Sequence, residues 1–387
     1  MKRHSAKQLI FLMLAPNALE PRLQGFWRMK SIFSSCMTRS CLALLLAVLA
    51  FPLRALPTPP AVPVSANYSS DLISGSRLVH VHDPSTIIRC GNDYWIFYTG
   101  AGIPSYHSRD LVSWQAGQPV FPHAPAWVPD VVPGKRGDFF WAPEVIQRPG
   151  GYFLYYAVSL FGKNTSAIAL ATNVTLDPND PCYHWTDCGP VVRSVAGDDF
   201  NAIDPSLVCT PDKRLWMTFG SFWSGIKLME LNPATGKRKD PQGHVYSLAF
   251  NDSIEASYLY PHNGYYYLFV NWGLCCRGTN STYEVRVGRS RQITGPYLDA
   301  GGNDMMEGGG TPFLETQGPF IGPGQVGILA STNQIWLSCH FYDGLHHGRS
   351  TLAVFPLEWS SLGWPKVVLP EQQIPPGQVS NSNLLNP

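Results

Sequence analysis

Beyond residue 66 the chain shows no long amphipathic helical pattern; apolar and polar positions form short runs closed by turn residues. One arrangement recurs: an apolar run, a polar turn, then an aromatic-rich run. The second runs are Tyr94-Trp95-Ile96-Phe97-Tyr98, Tyr152-Phe153-Leu154-Tyr155-Tyr156, Leu215-Trp216-Met217-Thr218-Phe219, Tyr266-Tyr267-Leu268-Phe269-Val270 and Ile335-Trp336-Leu337-Ser338-Cys339, five in all. Turn signals such as Gly91-Asn92-Asp93, Pro149-Gly150-Gly151 and His262-Asn263-Gly264 separate the runs. A repeat of 50–70 residues built of short strands predicts an all-β fold, a five-bladed β-propeller with one four-stranded sheet per repeat. A β-sandwich is the competing architecture, because turn-punctuated short strands suit it too.

Counting back 11 residues from each aromatic run gives Asp83, Trp141, Asp204, Glu255 and Gly324, spaced by 58, 63, 51 and 69 residues. Innermost propeller strands line the central channel, so residues in one register converge on the axis. Three of these five are acidic. Burying a carboxylate costs several kcal/mol unless it is paired or protonated, and converging acids raise one another's pKa, which keeps one of them protonated near neutral pH. An acid to protonate a leaving oxygen and a base to activate water are what glycoside hydrolysis needs. The competing reading makes Asp83 and Asp204 turn residues, since both open the tripeptide Asp-Pro-Ser.

Composition narrows the partner. Charged residues are 14% of the chain, the formal net charge is +1, and no block of Lys or Arg occurs, which leaves little to attract nucleic acid or an anionic membrane. A neutral polysaccharide fits better, with 12% aromatic residues for core and for sugar faces. Cys41 to Phe51 is an apolar run of 11 residues after Arg39, too short to span a bilayer and suited to a signal peptide; Met29 and Met37 offer starts of more usual length. The reading is therefore a signal region over 1–55, a Pro-rich linker over 56–70 and the propeller over 71–387, a secreted, extracellular monomer. Five glycosylation triplets agree with secretion: Asn67, Asn164, Asn173, Asn251 and Asn280. Seven cysteines follow residue 55; Cys182 with Cys188, and the adjacent Cys275 and Cys276, are candidate bridges. His80-x-His82-Asp83 hints at a metal hydrolase, but the remainder of such a site is absent.

The ordered motifs HDPSTI at 82–87, FWAPEV at 140–145, SLFGKNTSAIALAT at 159–172, NAIDPSLV at 201–208, GSFWSGI at 220–226, IEAS at 254–257, the stretch at 265–297 and GWP at 363–365 resemble glycoside hydrolase family 43, and within it the fungal endo-1,5-α-L-arabinanases. The resemblance implies a five-bladed propeller and an inverting mechanism acting on arabinan. It implies Asp83 as general base, Glu255 as general acid, and Asp204 as the carboxylate that raises and orients the acid. Inversion would separate the Asp83 and Glu255 carboxyls by roughly 6.5–9.5 Å. Trp141, Gly162, Asn201, Ser221, Phe222 and Trp223 fall in motifs that line the sugar cleft, although Trp141 and Phe222 also suit an ordinary core. An exo-acting arabinofuranosidase or β-xylosidase on the same fold, and a sugar-binding propeller without activity, are the rival functions. The chain departs from the family pattern at Gln325, where a histidine commonly stands beside a channel calcium, and at Ala256-Ser257 after the acid, where relatives often carry a proline. Gln325 and His340 are candidate ligands for a structural calcium; the chemistry itself needs no cofactor.

Overall fold

In the computed structural model, residues 78–331 and 334–367 are described; the signal region, the linker and Asn67 lie outside them. The described chain folds into five antiparallel sheets in chain order. Blade 1 holds β1 (Ile88–Cys90), β2 (Asp93–Phe97), β4 (Ser105–Ser108) and β5 (Trp114–Ala116). Blade 2 holds β6 (Phe139–Arg148), β7 (Gly151–Val158), β8 (Ser166–Asn173) and β9 (Thr186–Ser194), with the two-residue β3 (Gly100–Ala101) added to β6. Blade 3 holds β10 (Ser206–Cys209), β11 (Leu215–Phe219), β12 (Ile226–Leu231) and β13 (Tyr246–Ala249). Blade 4 holds β14 (Ile254–His262), β15 (Tyr265–Trp272), β16 (Glu284–Ser290) and β17 (Thr311–Leu314). Blade 5 holds β18 (Phe320–Ala330), β19 (Ile335–Asp343), β20 (Arg349–Trp359) and β21 (Pro365–Val367). The arrangement is the expected five-bladed propeller, and the five aromatic runs are the second strands β2, β7, β11, β15 and β19.

The core is divided among the blade interfaces. Trp95 and Phe97 pack with Tyr152 and Tyr156 between blades 1 and 2; Tyr155 and Leu170 meet Met217 and Phe219 between blades 2 and 3. Leu228 meets Leu268 between blades 3 and 4, Phe269 meets Phe341 between blades 4 and 5, and Ile96 meets Leu352 between blades 5 and 1. A middle strand is covered by a neighbouring blade on each face, so runs such as Leu215–Phe219 are buried throughout rather than alternating. The ring closes where the N-terminal segment meets the last blade: His80 bridges Thr351, and the Leu352 N–H donates to the Val79 carbonyl at 2.8 Å.

Every blade carries the same bulge at the channel. Trp141 pairs with Ala157 and Glu144 with Tyr155; Glu255 pairs with Asn271 and Tyr258 with Phe269; Gly324 pairs with His340 and Gly327 with Ser338. The bonds from the Thr99 N–H to the His82 carbonyl and from the Ser85 N–H to the Phe97 carbonyl place blade 1 in the same frame, and the bond from the Gly220 N–H to the Ile203 carbonyl does so for blade 3. In each case two inner-strand residues face one on the partner, and the first of the two is left-handed: Asp83, Ala142, Asp204, Ala256 and Gln325, with φ of 47°, 38°, 57°, 52° and 55°. The counted register is thereby corrected. Asp83 and Asp204 are bulge residues, whereas Glu255 stands one position earlier, level with His82, Trp141, Ile203 and Gly324. All three carboxylates still line one cleft, Asp83 and Asp204 from the left-handed bulge position itself and the longer Glu255 from the position before it.

These left-handed residues cost about 1–2 kcal/mol each, and inter-blade hydrogen bonds hold four of them. Thr99 Oγ1 accepts the Ala142 N–H at 2.8 Å, Asp204 Oδ2 accepts that of Ala256 at 3.1 Å, Asn271 Oδ1 accepts that of Gln325 at 3.0 Å, and His340 Nδ1 accepts that of Asp83 at 3.2 Å. Thr99, Asn271 and His340 hold matching places opposite the bulge. Gly220 at that place in blade 3 has no side chain, and Asp204 acts in its stead.

Two further expectations change. Asn164 and Asn173 are buried: the Asn164 amide donates to the Asp198 and Phe200 carbonyls, and Asn173 Oδ1 accepts the N–H groups of Thr175 and His184. Neither amide is accessible to a glycan in the folded protein. Cys182 and Cys188 are free, whereas Cys275 and Cys276 form a vicinal disulfide.

Candidate active site

The three carboxylates meet at one end of the channel, each held by different partners. Asp83 accepts the Thr99 hydroxyl at Oδ2 (2.7 Å) and lies 2.9 Å from His82 Nδ1 at Oδ1. Burial pushes the Asp83 carboxyl up, but the His82 charge and hydrogen bond, with His340 and Thr99, outweigh it and bring the pKa down to about 2. Glu255 accepts the Ser221 hydroxyl at Oε2 (2.7 Å) and the Tyr283 hydroxyl at Oε1. Burial raises its pKa first and the Asp83 charge adds to this, against the two hydroxyl donors. Asp204 is raised well above the ordinary carboxylate range by burial, then by the charges of Glu255 and Asp83. The environments therefore push the proton affinity of Asp83 down and that of Glu255 and Asp204 up.

Asp204 reaches Glu255 through the backbone, by its bond to the N–H of Ala256. A proline at 256 would lack this N–H and could not adopt φ of 52°.

A cleft opens on both sides of Glu255. One lobe, about 550 Å³, brings together Trp141, Gly162, Asn201, Ser221, Phe222 and Trp223. The other, about 600 Å³, holds Asp83, Asp204, Thr99, Lys135 and Tyr283, and shares Trp141, Phe161, Ile203 and Glu255 with the first. Both lie in the size range of small-molecule sites. Phe161 and Trp223 expose 81% and 42% of their surface at this mouth, although each is a large apolar side chain. Asn201 is instead fixed from behind, its Oδ1 accepting the Ser166 hydroxyl at 2.7 Å. A larger cavity, about 720 Å³, lies at the far turn Arg148–Gly151, but no carboxylate lines it.

Sequence reasoning did not single out Tyr283, Thr99, Lys135 or Phe161. Thr99 lay within reach of it, because it holds the place in blade 1 that Asn271 and His340 hold in blades 4 and 5. Tyr283 precedes β16 and has no repeat-based signal.

The side chains around His340 offer calcium few free oxygens, so an ion there would take most of its ligands from water, although His340 Nε2 is buried without a hydrogen-bond partner among the described residues. His82, Asp83 and His340 bring ligand atoms within 4.8 Å of one another, yet both Asp83 oxygens and His340 Nδ1 are already hydrogen-bonded. Calcium takes six to eight oxygens, and His340 is an imidazole that burial holds neutral, its pKa down to about 3. The buried Gln325 adds one amide oxygen at most. No chemistry is routed through a metal here.

Glu144 is a buried acid outside the triad. It lies on β6, accepts the Thr86 N–H at 2.9 Å, and burial pushes its pKa up to about 7. A raised folded-state pKa means stability that is complete below the unfolded value and is lost as pH rises through the folded one. Between about pH 4.5 and 7 the wild type should lose on the order of 3 kcal/mol from this group. Glu144→Gln has no proton to lose. Denaturation midpoints measured from pH 4 to 8 should therefore shift in favour of the variant as pH rises, whereas parallel curves would remove this role.

Comparison with known proteins agrees with the geometry. Residues 78–365 match the family model for glycosyl hydrolases family 43. The chain belongs to this family. It is 40% identical over 312 residues to an extracellular exo-α-(1→5)-L-arabinofuranosidase of Cellvibrio japonicus, covering 77% of this chain and 89% of that one. It is 41% identical over 293 residues to an extracellular endo-α-(1→5)-L-arabinanase of Bacillus subtilis, covering 74% and 87%. The crystal structure of a Cellvibrio cellulosa α-L-arabinanase complexed with arabinohexaose superposes with a TM-score of 0.72 at 40% identity, covering 76% and 96%. This family 43 propeller is a glycosidase, and the five-repeat reading of its sequence agrees with the fold of its relatives.

Proposed function

We propose that this protein is a secreted endo-1,5-α-L-arabinanase that inverts the anomeric centre. The observation that carries the reading is the opposite shift in proton affinity of Asp83 and Glu255 within a cleft that extends to both sides of Glu255. Asp83 takes the proton of the attacking water, and its ionised state across mildly acidic pH suits a base. Glu255 gives its proton to the leaving glycosidic oxygen; burial and the nearby Asp83 charge favour the protonated form it needs. Asp204 holds the Ala256 backbone beside the acid and adds to its high proton affinity as a neighbouring carboxyl. Phe161, Trp141 and Trp223 offer apolar faces along the cleft for successive sugar rings.

The substrate reading draws on the relatives, one named for endo and one for exo action on α-(1→5) linkages. Lobes on both sides of Glu255 favour the endo alternative, since an internal linkage needs room for sugar on each side. Linear arabinan, branched arabinan and arabinoxylan should be digested side by side. The expected result is a ladder of oligomers from linear arabinan; arabinose alone from the first time points would make the enzyme exo-acting. Secretion is supported by the extracellular names of both relatives, and of the described acceptor triplets Asn280 is exposed and Asn251 half-buried, which leaves these two available for glycans.

A further inference from the structure

The mouth of the site carries a feature that the acid and base do not use. Cys275 and Cys276, joined by their disulfide, line the cleft beside Glu255. The Cys276 N–H donates to the Tyr342 hydroxyl oxygen at 2.7 Å; that oxygen lies 2.8 Å from His82 Nε2; and His82 Nδ1 lies 2.9 Å from Asp83 Oδ1. Cys276 Sγ is itself 3.7 Å from His82 Nε2. Four residues from three blades thus form a single file ending on Asp83: the cysteine from the loop after β15, the tyrosine from β19, the histidine and aspartate from blade 1.

We infer that Tyr342 and the Cys275–Cys276 disulfide are positioning residues for Asp83, acting through His82. With a neutral His82, the Tyr342 hydroxyl donates to Nε2 and leaves the Nδ1 proton for Asp83. With a protonated His82, Nε2–H donates to the Tyr342 oxygen and Nδ1–H still donates to Asp83. The orientation of the imidazole is thus fixed in both states. The ring cannot turn away, because it is stacked on His340 with centroids 4.3 Å apart while His340 holds the Asp83 backbone. Asp83, Glu255, His340, Tyr342, Cys275 and Cys276 are the titratable or sulfur groups around it among the described residues. Cys276 is left-handed, with φ of 67°, and the covalent ring it forms with Cys275 fixes the peptide that aims its N–H at Tyr342.

The inference rests on Asp83 being the base, and its test separates the two. Cys276 is exposed, and the cysteines at 90, 182, 188, 209 and 339 are free, so among the described residues dithiothreitol acts on this bridge alone. In that reaction the reagent's two thiols supply two electrons and two protons, the Sγ–Sγ bond breaks, and the reagent closes its own cyclic disulfide. Four rates on linear arabinan are needed: wild type and Tyr342→Phe, each oxidised and reduced. Reduction should lower wild-type kcat on the order of 5–10-fold with KM nearly unchanged, reoxidation should restore it, and Tyr342→Phe should lose a similar amount with no further loss on reduction, as expected for members of one coupled file. Additive losses, or a change confined to KM, would overturn the inference. A second readout needs no substrate. In ¹⁵N-labelled protein the His82 Nδ1–H resonance should be protected from exchange in the oxidised wild type and lose protection in Tyr342→Phe and on reduction; unchanged protection in both also overturns it. If the wild type releases nothing from arabinan, the functional reading falls while this resonance still decides the file.

Discussion

Replacing Glu255 with glutamine should lower kcat on linear arabinan by roughly 10²–10⁴-fold, the usual contribution of a general acid, while KM changes little. The variant keeps an oxygen for Ser221 or Tyr283, so the cleft that binds sugar survives. Loss of the acid should also depend on the leaving group. A nitrophenyl arabinofuranoside, whose phenolate departs without a proton, should be cut by the variant at a rate much closer to wild type than the polymer is. Equal losses on both substrates would mean that Glu255 does not protonate the leaving oxygen.

Asp83→Asn should be as damaging to kcat, roughly 10²–10⁴-fold, but without that dependence, because water must be activated whatever group departs. An equal rescue by the nitrophenyl substrate would remove Asp83 as the base. The same substitution should be felt in stability. Asp83 has a folded-state pKa of about 2, below its unfolded value near 3.9, so it contributes about 2 kcal/mol that is present above pH 4 and is lost as pH falls through 2. The deficit of Asp83→Asn, measured by denaturant titration, should therefore shrink between pH 5 and pH 2. A constant deficit would show that the His82–Asp83 pair does not stabilise the fold.

Several features of the site depend on the bulge repeated in each blade. Asp83 and Asp204 occupy the left-handed place, where Asp is among the residues best able to sit. Glu255 stands one position earlier, and its longer side chain reaches between Ser221 and Tyr283. The hydrogen bonds that hold the bulges come from the previous blade, so the three carboxylates are set by packing between sheets rather than by any one sheet. The buried Asn271 shows the dependence: it accepts the Gln325 N–H and donates to the Pro323 and Glu284 carbonyls.

By itself the sequence determined the number of blades, the middle strands and the three acids. Apolar runs that recur every 50–70 residues record which strands are buried between neighbours, and that burial is a local property of each run. It also placed Trp141, Asn201, Ser221, Phe222 and Trp223 in the cleft through motifs that the family carries. The one-residue offset between Glu255 and the two aspartates was decided only in the folded chain, because a bulge is a relation between two strands and leaves no mark on one. The same holds for Tyr283, Thr99 and the file from Cys276 to Asp83, whose members meet over separations as long as 260 residues, between His82 and Tyr342. The burial of Asn164 and Asn173, which a triplet of residues does not encode, and the opposite shifts in proton affinity of Asp83 and Glu255 were likewise tertiary. Charge and burial at a point in space depend on which blades surround it, and chain order alone does not specify them.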